Sequence, residues 1–119
     1  MPASVLTARP DLYLRYKASE EALVRLQTDC SLQHTKIRLC EKSRAQLLRR
    51  RENGLYINAA NIAANIDRTE AVIAQYRADL EGIKVSRLAI EEEQAAVRRE
   101  WRQWVASQAG TVDPGAGWD

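Results

Sequence analysis

Few residues of this 119-residue chain are of types that do chemistry, and their spacing sets what each can do. Cys30 and Cys40 are the two cysteines. Ten residues apart on one helix, they would stand about 15 Å apart, too far for a disulfide within the chain. No C-x-x-C pair offers a zinc or redox centre, so the spacing favours small core filler, with a bridge between chains as the other reading. His34 is the single histidine and has no second His at helical spacing, which makes it a solvated surface side chain. Glu91, Glu92 and Glu93 point in directions about 100° apart if helical, so they cannot converge on a metal or a substrate. They form a solvated, ion-pairing face. The chain also lacks G-x-x-x-x-G-K-[ST], G-x-G-x-x-G and G-x-S-x-G. The sequence therefore supplies no catalytic residue, no metal-ligand set and no cofactor site, and the chain is expected not to be an enzyme.

Two other groups suggest binding. Residues 36–52 hold Lys36, Arg38, Lys42, Arg44, Arg49, Arg50 and Arg51 against Glu41 and Glu52, a local net of +5 in a chain whose total is +2. Such a run can be a solvated helix face, a seat for an acidic protein, or a phosphate contact. Only Tyr56 lies near it as a stacking side chain, and no helix-turn-helix pattern is present, so specific nucleic-acid readout is unsupported. Lys42, Arg49, Arg50 and Arg51 are the candidate residues of this basic tip. Arg98–Val105 then sets Trp101 and Trp104 among three cations. Indoles are expensive to leave in water: they can pack under Val5 and Leu6 of a folded-back N-terminus, dock into a neighbouring subunit, or sit at a membrane interface. Trp118, in a Gly-rich tail, is expected to act with them as an anchor.

The elements that must position these groups are helices. Hydrophobic residues make up 45% of the chain and charged residues 29%, with 5 Gly and 3 Pro, too apolar for disorder and too poor in turn residues for a β-sandwich. Pro2, Pro10, Gly110, Pro114, Gly115 and Gly117 lie near the ends, leaving only Gly54 and Gly82 inside. Gly54 follows three arginines and Asn53, a helix-stop signal, and Asn58 can cap the next helix. Gly82 stands alone in a periodic stretch and is read as helical, at up to about 1 kcal/mol. A 3,4 spacing runs from Ala59 through Ile62, Ile66, Ile73, Leu80 and Val97 to Trp104, with 11 of its 14 positions apolar or aromatic. A second seam runs from Leu12 through Tyr16, Leu26, Ile37 and Leu47 to Arg51, with 8 of 12 apolar when both Cys are counted.

The expected fold is all-α: a long antiparallel two-helix coiled-coil hairpin that oligomerises into a larger helical assembly. It has an N-terminal extension at 1–10, helices at 11–52 and 58–109 joined by a turn at 53–57, and a Gly/Pro-rich tail at 110–119. Equal rise per residue puts Leu12 near Val97 and Leu26 near Leu80 or Ile83. The same register pairs Asp29 with Arg77, Glu41 with Arg68, Lys36 with Glu70, and Lys17 with Glu91 to Glu93. The second helix overhangs the first, carrying Trp101 and Trp104 largely beyond it. Val24, Leu32, Leu39, Leu48, Val72, Val85 and Leu88 fall off the seam, which points to a partner or oligomer interface through Leu32 and Leu39 together with Trp101, Trp104 and Trp118.

Ile57-Asn58 opening a long helix, the central Ile and Leu seam and the late Trp101-Arg102-Gln103-Trp104 together resemble the rod-like stalk proteins of flagellar and type III secretion ATPases. That resemblance implies an antiparallel helical hairpin serving a secretion-type machine, and it transfers no functional residue. Small helical-hairpin components of phage particles fit the same pattern. No stretch approaches the roughly 20 apolar residues of a membrane span, and the start lacks the pattern of a secretory signal. The sequence thus leads to a non-catalytic structural or adaptor subunit without cofactors, cytoplasmic or assembled into a particle there, with protein partners and further copies of itself. A nucleic-acid-binding module using the basic tip is the alternative.

Overall fold

A computed structural model describes residues 1–54 and 59–108. The order is α1 (Ala3–Ala8), α2 (Pro10–Glu52) and α3 (Ala59–Ser107), with no strand among the described residues. The fold is an all-α hairpin in which α2 and α3 run antiparallel. Its residues group into two compact units, one of 1–26 with 85–119 and one of 27–84.

The break between α1 and α2 follows from Pro10. A residue that precedes proline is pushed out of the helical region, and Arg9 stands at φ −137° and ψ 74°. Pro10 has no N–H to satisfy in the first turn of α2, so a helix can begin there without loss. The Arg9 guanidinium then donates to Asp11 in that first turn, Nη2 to Oδ2 at 2.8 Å. This contact raises the Arg9 pKa, and the same hydrogen bond holds the Asp11 carboxyl down at about 2. At its other end α2 closes with Arg49, Arg50 and Arg51, cations placed where the helix dipole favours them. Gly54 exits at φ 61°, a left-handed conformation that glycine adopts without a Cβ penalty. The Asn58 cap expected from sequence, the rest of the turn, and the tail with Trp118 lie outside the described residues.

In the unit that holds both chain ends, Val5, Leu12, Tyr16, Val97 and Trp101 form one buried cluster, with Tyr13, Trp104 and Val105 packed against it. The overhang expected beyond the first helix is therefore filled: α1 folds back and sets Val5 into the cluster that holds Trp101. Arg15 reaches from α2 to α3, donating to Glu93 at 2.7 Å and to Glu100 at 2.6 Å. Both carboxylates raise the Arg15 pKa.

In the other unit Ile37, Ile73 and Leu80 are the buried cluster, with Cys30, Cys40, Tyr76 and Ile83 against it. Gln33 is buried in the seam and donates to Asp79 at 3.2 Å, while its Oε1 has no donor among the described residues. Ile62 and Ile66 of the α3 seam are buried as well.

The expected ion pairs need correcting. Arg77 bonds Glu41 at 2.9 Å rather than Asp29, and Lys36 sits 5.5 Å from the centroid of the Tyr76 ring rather than beside Glu70. Glu93 is taken by Arg15, not Lys17, and Arg68 donates to Asn65 of its own helix, not to Glu41. The physical cause is that side chains lean toward their own helix N-terminus, in opposite directions on antiparallel helices, so tips that touch belong to backbones offset by several residues.

Candidate functional site

The seam residues occupy positions a and d of a heptad, e and g flank them, and b, c and f face outward. In an antiparallel pair one edge is formed by e against e and the other by g against g. Both edges are present in the structure: Glu41 and Arg77 are e residues, and Arg15 and Glu93 are g residues.

On the g edge of the unit at 27–84 lies a shallow cleft lined by Leu39, Cys40, Ser43, Arg68, Thr69 and Val72. Leu39 is 61% exposed and Val72 40%, an apolar pair open to water. Lys42 and Arg49 stand exposed on the adjoining outer face of α2, and Arg68 lines the cleft from α3. Between residues 39 and 72, every described carboxylate falls at b or e, on the opposite side: Glu41, Glu52, Asp67 and Glu70. Lys42 and Arg49 of the basic run, with Arg68 from α3, thus stand around an apolar cleft, while Arg38 falls at b beside the carboxylates. Arg50 and Arg51 are also exposed in the last turn of α2. A second cleft on the same edge is lined by Asp29, Leu32, Gln33, Lys36 and Ile83, with Leu32 53% exposed.

The unit of residues 1–26 and 85–119 carries further exposed apolar side chains. Val24 of α2 and Val85 and Leu88 of α3 are each at least 60% exposed. Around them exposed charges of both signs stand together, Glu20, Glu21 and Glu92 with Lys17, Lys84 and Arg87. Glu91 reaches back to Arg87 at 3.7 Å.

The other sequence candidates fall elsewhere. Trp101 is fully buried and Trp104 half-buried, their rings stacked with centroids 5.4 Å apart. An indole closed off by Val5 and Leu12 of its own chain offers no surface to a partner, so the anchor role expected for Trp101 gives way to a core role. Cys30 and Cys40 are free and half-buried against the Ile37 cluster, and His34 is exposed. Among the described residues no group of three or more His, Cys, Asp or Glu could hold a metal ion. No helix among them is long and apolar enough to cross a membrane. Sequence reading placed the basic tip on α2 alone. It paired Arg68 with Glu41 and counted Val72 among the off-seam apolar residues, without joining either to the tip, which they complete from α3 opposite Leu39 and Ser43. No family model, curated protein or solved structure matches the chain.

Proposed function

We propose that this protein is a non-catalytic structural or adaptor subunit that acts by packing its helical hairpin side by side with other helices in a larger assembly. The observation that supports it most is the set of large apolar side chains outside the seam: Leu32, Leu39, Val85 and Leu88 are each more than half exposed on otherwise polar helices. Several large apolar side chains left in water on helices whose seams are already filled favour further helix contacts, whereas a single one would need no explanation. Assembly of such a hairpin takes place in the cytoplasm, in a particle of the phage-virion kind or a secretion-type machine. The test is the native mass of the particle that holds the chain in extracts of its source. A mass well above that of one 13.5 kDa chain is expected; a chain recovered only as a free monomer would overturn the reading.

A second reading, a nucleic-acid-binding helical module, draws on Lys42, Arg49 and Arg68 facing outward without a carboxylate among them. Neutralising several phosphates gives a steep fall of affinity with salt, so titration against nonspecific DNA at rising salt separates the two.

A further inference from the structure

The g edge of the unit at 27–84 carries one sign of charge next to the hairpin turn. On α2 from residue 36 to 50, positions c, f and g hold Lys36, Lys42, Arg49 and Arg50, and on α3 from 59 to 75 they hold Arg68, with no carboxylate at any of them. Lys36 lies over the Tyr76 ring. Lys42, Arg49 and Arg68 are exposed, and among the described residues no carboxylate pairs with them; Arg68 bonds Asn65 and the Ala64 carbonyl of its own helix. These three cations stand on both banks of the cleft, Lys42 and Arg49 on α2 and Arg68 on α3, and the exposed Leu39 and Val72 lie between the banks. We infer that this cleft seats an acidic amphipathic helix of a protein partner, its apolar stripe on Leu39 and Val72 and its flanking carboxylates against Lys42, Arg49 and Arg68. This inference rests on the reading of the protein as an assembly subunit and names the chemistry of one partner.

Two features select such a helix. An apolar floor between antiparallel helices accepts the apolar knobs of a third, and cations on both banks match carboxylates at the two positions that flank a helical apolar stripe. Ten residues separate Leu39 from Arg49, about 15 Å along the axis, so the seat suits about three helical turns. A helix flanked by cations is repelled from the same seat, which is where its specificity comes from. A phosphate backbone would gain from the three cations but leave Leu39 and Val72 wet, and among the described residues no aromatic side chain lines the cleft to stack a base.

The experiment is fluorescence anisotropy with the purified full chain and a labelled peptide of about three heptads that carries Leu at a and d, Glu at e and g, and Ala or Gln elsewhere. Glu at both e and g keeps this probe from pairing with itself at neutral pH. A peptide of the same design with Lys in place of Glu, and a nonspecific DNA duplex, are the comparison probes. The acidic peptide is expected to bind and the basic one not, and a rise from about 50 to about 500 mM salt should weaken the acidic peptide about tenfold or more. Lys42→Glu, Arg49→Glu and Arg68→Glu together should weaken it about tenfold or more, and so should Leu39→Ala with Val72→Ala while every cation is in place. All five positions are exposed, and far-UV circular dichroism checks the fold of each variant. Should one variant fail to fold, the other variant and the salt dependence of the unsubstituted chain decide. Four results would overturn the inference: no binding of the acidic peptide at about 1 mM, equal binding of both peptides, binding that survives the charge reversal, or binding indifferent to the loss of Leu39 and Val72. A DNA duplex that displaces the peptide with a steep salt slope would assign the cations to nucleic acid instead. No peptide binding, while extracts still hold the chain in a larger particle, would reject this occupant and leave the adaptor reading standing.

Discussion

Replacing Trp101 by alanine probes the packing of α1 against α3. Trp101 is fully buried among Val5, Leu12, Tyr16 and Val97. An indole buries about 150–250 Å², which at about 25 cal/mol per Å² corresponds to about 4–6 kcal/mol of transfer free energy, an upper figure because the unfolded chain already hides part of that area. Against this, Trp101 Nε1 is buried without an acceptor among the described residues, and removing an unsatisfied donor returns about 1–3 kcal/mol. The expected net loss for Trp101→Ala is about 3 kcal/mol. Trp101→Phe keeps most of the packing and removes the orphan N–H, so its loss should stay within about 1 kcal/mol. Equilibrium urea unfolding followed at 222 nm measures both. A loss below about 1 kcal/mol for Trp101→Ala would refute the burial of the indole by α1. A Trp101→Phe loss as large as that of alanine would show that the N–H has an acceptor.

Three further outcomes follow from the same geometry. Changing Arg49, Arg50 and Arg51 together to Gln should shift the melting temperature little, because helix-end cations contribute about 0.3–1 kcal/mol each and adjacent ones repel; a fall of more than about 10 °C would make them structural. With Cys30 and Cys40 replaced by Ser, Leu12→Cys combined with Val97→Cys should crosslink within one chain, since both lie in one cluster; crosslinks formed only between chains would reject the antiparallel hairpin. The Asp11 carboxyl titrates at about 2, below its ordinary 3.8. Its contribution to stability is therefore whole above about pH 4 and disappears as pH falls toward 2. Melting curves of wild type and Asp11→Asn should run parallel at neutral pH and converge over that window, and parallel curves throughout would remove the Arg9 contact as the cause.

The heptad seam was readable because burial needs only a repeat, and a repeat survives small errors of placement. Ile62, Ile66, Ile73, Leu80, Val97 and Trp101 are buried at the positions the 3,4 spacing assigns. Even the polar seam positions Ser19 and Gln33 are inside. Ser19 satisfies its hydroxyl on the carbonyl of Tyr16, and Gln33 bonds Asp79. The salt bridges were not readable. Which charges meet depends on turn length and on the lean of each Cα–Cβ bond, and an error of three residues moves every partner by almost a turn. The six-residue α1 was missed because six residues carry too little periodicity to count, although Pro2 and Pro10 frame it. The basic surface was half visible: the basic run could be counted, while the gathering of Lys42, Arg49 and Arg68 around one cleft emerged only once both helices were in register.

Gathering Val5, Leu12, Val97 and Trp101 into one cluster has a consequence for how the chain reaches this fold. Ile37 and Ile73 enclose about 36 residues, whereas Leu12 and Val97 enclose about 85, and closing the longer loop from an open chain costs about 0.8 kcal/mol more in chain entropy. The pair nearest the turn therefore closes first, and each later contact finds its ends already drawn together. Trp101 and α1 come together last, so during folding the largest indole surface stays in water after the rest of the seam has zipped. A protease or chaperone acting on the nascent protein meets this end open, and limited proteolysis during refolding should cut beside Arg98, Arg99 and Arg102 before it cuts anywhere near Ile73.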